Sequence, residues 1–221
     1  MAKGGKALKG FAREGFLIIV SILVALGVNE WRIHIKQQAE LRDAVVDIHQ
    51  ELADNLALID GTADYQRRVA QAIAQQAEGE LLDRTPMDVM LTVVRSVAGE
   101  KNSFVGIDGA FQNVSWEIAK DRGVVARMDY DTAKRISFVS DTILPGLMTF
   151  YIDVANSMTS AKLHIPRDQR ATLLELSGRM QEAAGRTEYL EEFIVDAQDA
   201  LRADYPDLIG PISNTRPDTS P

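Results

Sequence analysis

The sequence predicts an all-α chain, and three observations carry that prediction. Apolar residues recur at steps of three and four over long stretches, which is the period of a helix. The composition is rich in Ala, Leu, Glu, Gln and Arg, and aromatic residues make up only 6%. No sustained alternation of apolar and polar residues bounded by hairpin turns occurs, and no internal repeat of fixed period is present.

The first element is the uncharged run at residues 16–28. As a helix it spans about 20 Å, short of the roughly 30 Å of a bilayer core. Phe11, Ala12 and Gly15 on one side and Trp31 and Ile33 on the other lengthen it to about 34 Å. Arg13 and Glu14 can snorkel to one interface, and Trp31 sits where an interfacial aromatic belongs. The segment therefore reads as a transmembrane anchor over residues 15–33. Phe16, Leu17, Ile18, Ile19, Val20, Ile22, Leu23, Val24, Leu26 and Trp31 form its apolar surface. Ser21 and Ala25 make a small-xxx-small pair that could pack against another membrane helix, although lipid-facing small residues are the plainer reading.

Two alternatives compete with the anchor. A cleaved signal peptide would use Ala25-Leu26-Gly27 as its small-x-small site, but Glu14 interrupts the boundary before the apolar run, and the helical pattern continues past the site. A buried soluble helix would also show a short apolar run. Charge orients the anchor. Residues 1–27 carry Lys3, Lys6, Lys9 and Arg13 against Glu14, or +3. Of the chain's net −8, the remainder therefore holds −11. The basic side stays cytoplasmic by the positive-inside rule and suits an anionic membrane surface. The acidic body argues against a nucleic-acid partner. There are no cysteines, so disulfides, thiolate metal sites and cysteine nucleophiles are excluded.

The next element has its stripe at Leu41, Val45, Ile48, Leu52, Asn55 and Ile59, a heptad-like face suited to a stalk. Asp47, Glu51 and Asp54 share another face and read as solvated acids. Gly61 is a weak point before a second helical stretch, residues 63–77, and the pattern fits one helix or two. Thr85, Pro86 and Asp88 have the pattern of N-cap, N1 and N3 of a helix reaching Val97 and ended by Gly99. Asp108 is the expected cap of the next helix, which carries Trp116, and Gly123 ends it. Asp129 caps a long segment from Tyr130 that Pro145-Gly146 should kink or split. Pro166 opens a helix to Gly185, and Thr187 caps a last one ending near Ala203. Residues 205–221 hold four of the seven prolines and read as a tail or as an arm that orders on a partner.

Motifs of chemistry are missing. His34, His49 and His164 lack the Glu-x-x-His spacing of a helical di-metal site, and pairs such as His34 with Glu30 supply two ligands only. No phosphate-binding glycine loop or Gly-x-Ser-x-Gly elbow occurs. No catalytic, metal or cofactor residue is expected. Trp116 reads as a core anchor or, at a surface, a binding hot spot. Tyr205, Leu208 and Ile209 are the candidate partner contacts of the arm.

Two blocks carry a resemblance. The first is LIIVSILVALGVNEWRIHIKQQAELRDAVVDIHQELADNLALI, with Ala25, Leu26, Asn29, Trp31, Glu51 and Asn55 at its marked positions. The second places Trp116, Ala119, Gly123, Met128, Asp129 and Tyr130 in sequence. Together they resemble a broad group of small bacterial membrane proteins with no established activity. The likeness covers roughly residues 15–160, and the spacing from Phe111 to Ser115 departs from it. It implies a retained single-span anchor with a helical domain beyond.

The expected organisation is a basic cytoplasmic tail (1–14), an anchor (15–33), a periplasmic helical domain (34–204) and a Pro-rich tail (205–221). The expected role is that of a non-enzymatic accessory or assembly subunit of a larger bacterial inner-membrane complex. Its partners would be lipid and other integral membrane subunits, with self-association through the stalk as a further option. The alternatives are a membrane-anchored sensor or ligand-binding module and a soluble periplasmic protein released by signal cleavage.

Overall fold

The computed structural model describes residues 4–79, 84–97, 104–158, 160–165 and 169–210. It is all-α, with no strand among the described residues. Helix α1 (Gly4–Ile59) is followed by α2 (Thr62–Glu78), α3 (Pro86–Val97), α4 (Val114–Asp121), α5 (Tyr130–Ser137), α6 (Leu144–Ser157), α7 (Gln169–Asp204) and the single turn α8 (Pro206–Ile209). The chain divides into two units, Met1–Asp43 and Ala44–Pro221. The domain start expected at residue 34 thus falls inside the first. A long N-terminal apolar helix continues into a helical bundle.

In the first unit the helix is uninterrupted because no proline and no capping signal opposes it. It passes through Ala25-Leu26-Gly27 without a break. In the second unit, Val45, Ile48, Leu52, Asn55 and Ile59 are buried, as their spacing predicts. Gly61 takes φ of 64°, a left-handed conformation that costs glycine little. It separates α1 from α2, so these are two helices.

The bundle is built on α2 against α7. Tyr65, Val69, Ala70, Ile73 and Ala77 of α2 pack with Val89 and Val93 of α3, Val154 of α6, and Leu173 and Met180 of α7. A smaller cluster joins Met90, Leu163 and Leu176. Between the helices lies a buried polar chain. The Gln66 amide donates to the Val105 carbonyl at 2.7 Å and to the Tyr151 hydroxyl at 3.2 Å. Tyr151 and Thr187 hydroxyls lie 2.5 Å apart, and Thr187 donates to Gln66 Oε1 at 2.9 Å. Burial raises the Tyr151 pKa, so this hydroxyl stays protonated.

Several local expectations hold. Thr85 and Asp88 form a capping box, Asp88 N–H donating to Thr85 Oγ1 at 3.2 Å and Thr85 N–H to Asp88 Oδ2 at 3.0 Å. Asp129 accepts from the Asp131 and Thr132 N–H groups. Gly123 follows α4 at φ of 65°. Others are corrected. Gly185 and Thr187 do not interrupt α7, because Thr187 is buried and its hydroxyl is taken up in the polar chain rather than in capping. The segment from Tyr130 is divided just before Pro145, as the proline predicts, by a change of winding. Winding switches from α5 to a π-helical turn, Phe138–Ile143, and resumes in α6. Leu144 N–H bonds Val139 C=O, and this wider turn lies where the ring of Pro145 would crowd an α-helical carbonyl. Pro206 opens one helical turn where a wholly non-helical tail was expected. Gly99, Pro166 and the tail from residue 211 lie outside the described residues.

Candidate functional site

The apolar segment of α1 is the first candidate. Its large apolar residues, from Phe16 to Trp31, are all exposed, between 36% for Val20 and 66% for Phe16. The stretch is long and apolar enough to cross a membrane by length and composition. The α5-to-α6 run, Tyr130–Met158, also meets that measure, but a third of its most apolar stretch is buried in the bundle. Ser21 donates its hydroxyl to the Leu17 carbonyl one turn back at 2.8 Å, so the polar group is satisfied within the helix. Ser21 and Ala25 are exposed, as are Leu17, Ile18, Ile19, Ile22, Leu23, Val24 and Leu26.

The second candidate surrounds the π turn, a feature frequent at functional sites. It brings Asp141 to Trp116 of α4. Trp116 Nε1 donates to Asp141 Oδ2 at 3.0 Å, Ser137 Oγ donates to the same oxygen at 2.8 Å, and Lys120 Nζ donates to Oδ1 at 2.8 Å. Lys120 also bonds Glu117 and lies 5.8 Å from the Trp116 ring centre. Burial favours the neutral acid at Asp141, but the bonds from Lys120, Trp116 and Ser137 outweigh it and hold the carboxyl below its usual range. Hydrogen bonds to Asp141 and Glu117 raise the Lys120 pKa. The carboxylate is held by three donors, two on Oδ2 and one on Oδ1. A cleft of about 540 Å³ opens beside it, lined also by Met128, Tyr130 and Lys134. On another side of the π turn, Thr142, Ile143, Gly146 and Leu147 face Glu182, Gly185, Arg186 and Tyr189 across a groove of about 580 Å³.

Trp116 is 2% exposed, which places it in the core rather than at a surface a partner could touch. Tyr205, Leu208 and Ile209 are half-buried. The Tyr205 hydroxyl accepts from the Asp129 N–H at 3.0 Å, and Asp204 accepts from the Thr132 hydroxyl, so the end of α7 clasps the start of α5. The hydroxyl of Tyr205 is thus engaged internally.

Two functional pairings were not expected. Glu51, read as a solvated acid, is buried and accepts the Ser115 N–H at 2.8 Å, capping α4 from α1. Asp108 does not do so, and α4 starts only at Val114. Asn55 clamps one backbone unit of the preceding loop. Its amide donates to the Gln112 carbonyl at 2.6 Å, and its oxygen accepts the Gln112 N–H at 2.9 Å. A polar residue on an otherwise apolar stripe was the one available signal for this contact.

Among the described residues, no group of three or more His, Asp or Glu could hold a metal ion. His34 bonds Gln38, and His49 Nε2 is buried without a hydrogen-bond partner. No family model, curated protein or solved structure matches this chain.

Proposed function

We propose that this protein is a non-enzymatic accessory or assembly subunit of a larger bacterial inner-membrane complex, held by one transmembrane helix. The observation that carries the reading is the exposed apolar face of α1, which needs lipid or another apolar partner to cover it. Support for a retained anchor over a cleaved signal comes from the unbroken helix through Ala25-Leu26-Gly27. The resemblance to small single-span bacterial proteins points the same way. The basic first residues support an N-terminus in the cytoplasm and a bundle in the periplasm by the positive-inside rule.

The test is the native mass of the particle extracted from its own membrane in mild detergent, with the intact mass of the chain read from the same sample. A full-length chain in a particle with other membrane subunits is the expected result. A chain shortened by about 27 residues would replace the anchor with a signal peptide. A full-length chain whose particle holds no other protein would exclude the subunit reading. A rise in melting temperature with a small ligand would then favour a sensor.

A further inference from the structure

The groove between residues 142–147 and 182–189 is hollow for a reason written in the sequence. Gly146 and Gly185 both line it, and a Cβ at either would meet nothing within 4 Å. Glycine weakens a helix relative to alanine, and here alanine would fit without contact. The space is therefore not required by packing within the chain. Tyr189, 47% exposed, stands in the same lining.

Charge narrows the choice of occupant. The chain carries −8, yet the eleven residues from Thr142 to Ile152, TILPGLMTFYI, carry no charge. Among the lining residues only Glu182 and Arg186 are charged, and they pair with each other at 2.7 Å. A neutral face is where two acidic chains can approach without repulsion. One acid and one base side by side are also self-complementary under a two-fold axis, since each carboxylate can meet the other copy's guanidinium. The same face supplies both a hole at the glycines and a knob at Tyr189, as an isologous contact requires. The pair is net neutral, so the groove carries no net charge to attract anionic lipid headgroups.

We propose that this groove is the self-association face of the bundle, occupied by the same groove of a second copy of the chain. It does not depend on the identity of any larger complex.

The test uses the full-length chain in detergent and reads its native mass against concentration. The wild type is expected to dimerise. Glu182→Arg and Arg186→Glu, each alone, place like charges across the two-fold and should weaken the dimer by about tenfold or more. The double exchange, Glu182→Arg with Arg186→Glu, restores opposite charges and should recover it. Gly185→Trp fills the hollow and should abolish the dimer while the melting temperature of the bundle holds. A monomeric wild type would overturn the proposal. So would a dimer that all these variants form equally well, which would place the contact elsewhere, or a groove that releases a different protein when altered.

Discussion

Two stretches of α1 obey different rules of exposure. Over residues 16–35 the large apolar side chains face outward on every side of the helix. Over residues 45–59 the buried ones form one stripe, with Val45 at 0%, Ile48 at 1% and Leu52 at 3% exposure, while Asp47, Gln50 and Asp54 are exposed on other faces. The backbone is the same helix in both. What differs is whether the sequence restricts its apolar residues to one face. A stripe identifies a protein neighbour in the same chain, whereas apolar residues on all sides ask for a surrounding that the chain itself does not supply.

The comparison can be broken most forcefully in the first stretch. Ile19→Arg with Leu23→Arg should cost insertion about 2.5–3.5 kcal/mol per residue. The chain should then leave the membrane fraction, and continued sedimentation with membranes would remove the case for an anchor. In the second stretch, Leu52→Ala should leave membrane retention intact and lower the stability of the bundle by about 2–5 kcal/mol, read by denaturant titration. An unchanged midpoint would mean that the stripe is not core. Asn55→Ala should cost about 1–3 kcal/mol, because the Gln112 N–H and carbonyl lose their partner. Restoring stability with Asn55→Gln is not expected, since the longer side chain cannot hold both groups at the same distance.

The smallest effect concerns His49, on the flank of the stripe. Burial, and then the charge of Arg202, lower its pKa below the usual 6.5. Its neutral form is therefore the one the fold prefers. Above pH 6.5 its contribution to stability is complete, and it is lost as the pH falls from there toward the folded-state pKa. His49→Leu should flatten that part of the stability profile. An unaltered slope in the variant would assign the acid sensitivity to other groups.

Sequence reasoning recovered what is decided within one or two turns. The stripe from Val45 to Ile59, the capping box at Thr85 and Asp88, the cap at Asp129 and the glycine stop at Gly123 are all local chemistry, whereas Gly61 marked a weak point without deciding between one helix and two. The failures share a different origin. Gly185 and Thr187 carry a local stop signal, but Gln66 and Tyr151 give the Thr187 hydroxyl a buried role that only the fold provides. Glu51 looks like an exposed acid until Ser115, 64 positions later, presents its N–H. The groove and the Asp141 cluster were equally illegible. They depend on a π turn whose neighbours come from α4 and α7, and nothing in the spacing around Pro145 names those partners.

The clamp at Gln112 also carries information about time. The loop before α4 has little regular structure of its own, yet its backbone is bonded by Asn55 of α1 and by Thr62 and Gln66 of α2, and Glu51 of α1 holds the first turn of α4 that follows it. Those bonds have nothing to attach to until α1 and α2 have formed. The loop must therefore settle after the helix pair, because closing these long chain separations gains little beforehand. In pulse-labelled refolding, the amides of Gln112 and Ser115 should become protected from exchange later than those within α1 and α2. Simultaneous protection would mean that the loop belongs to the folding nucleus instead.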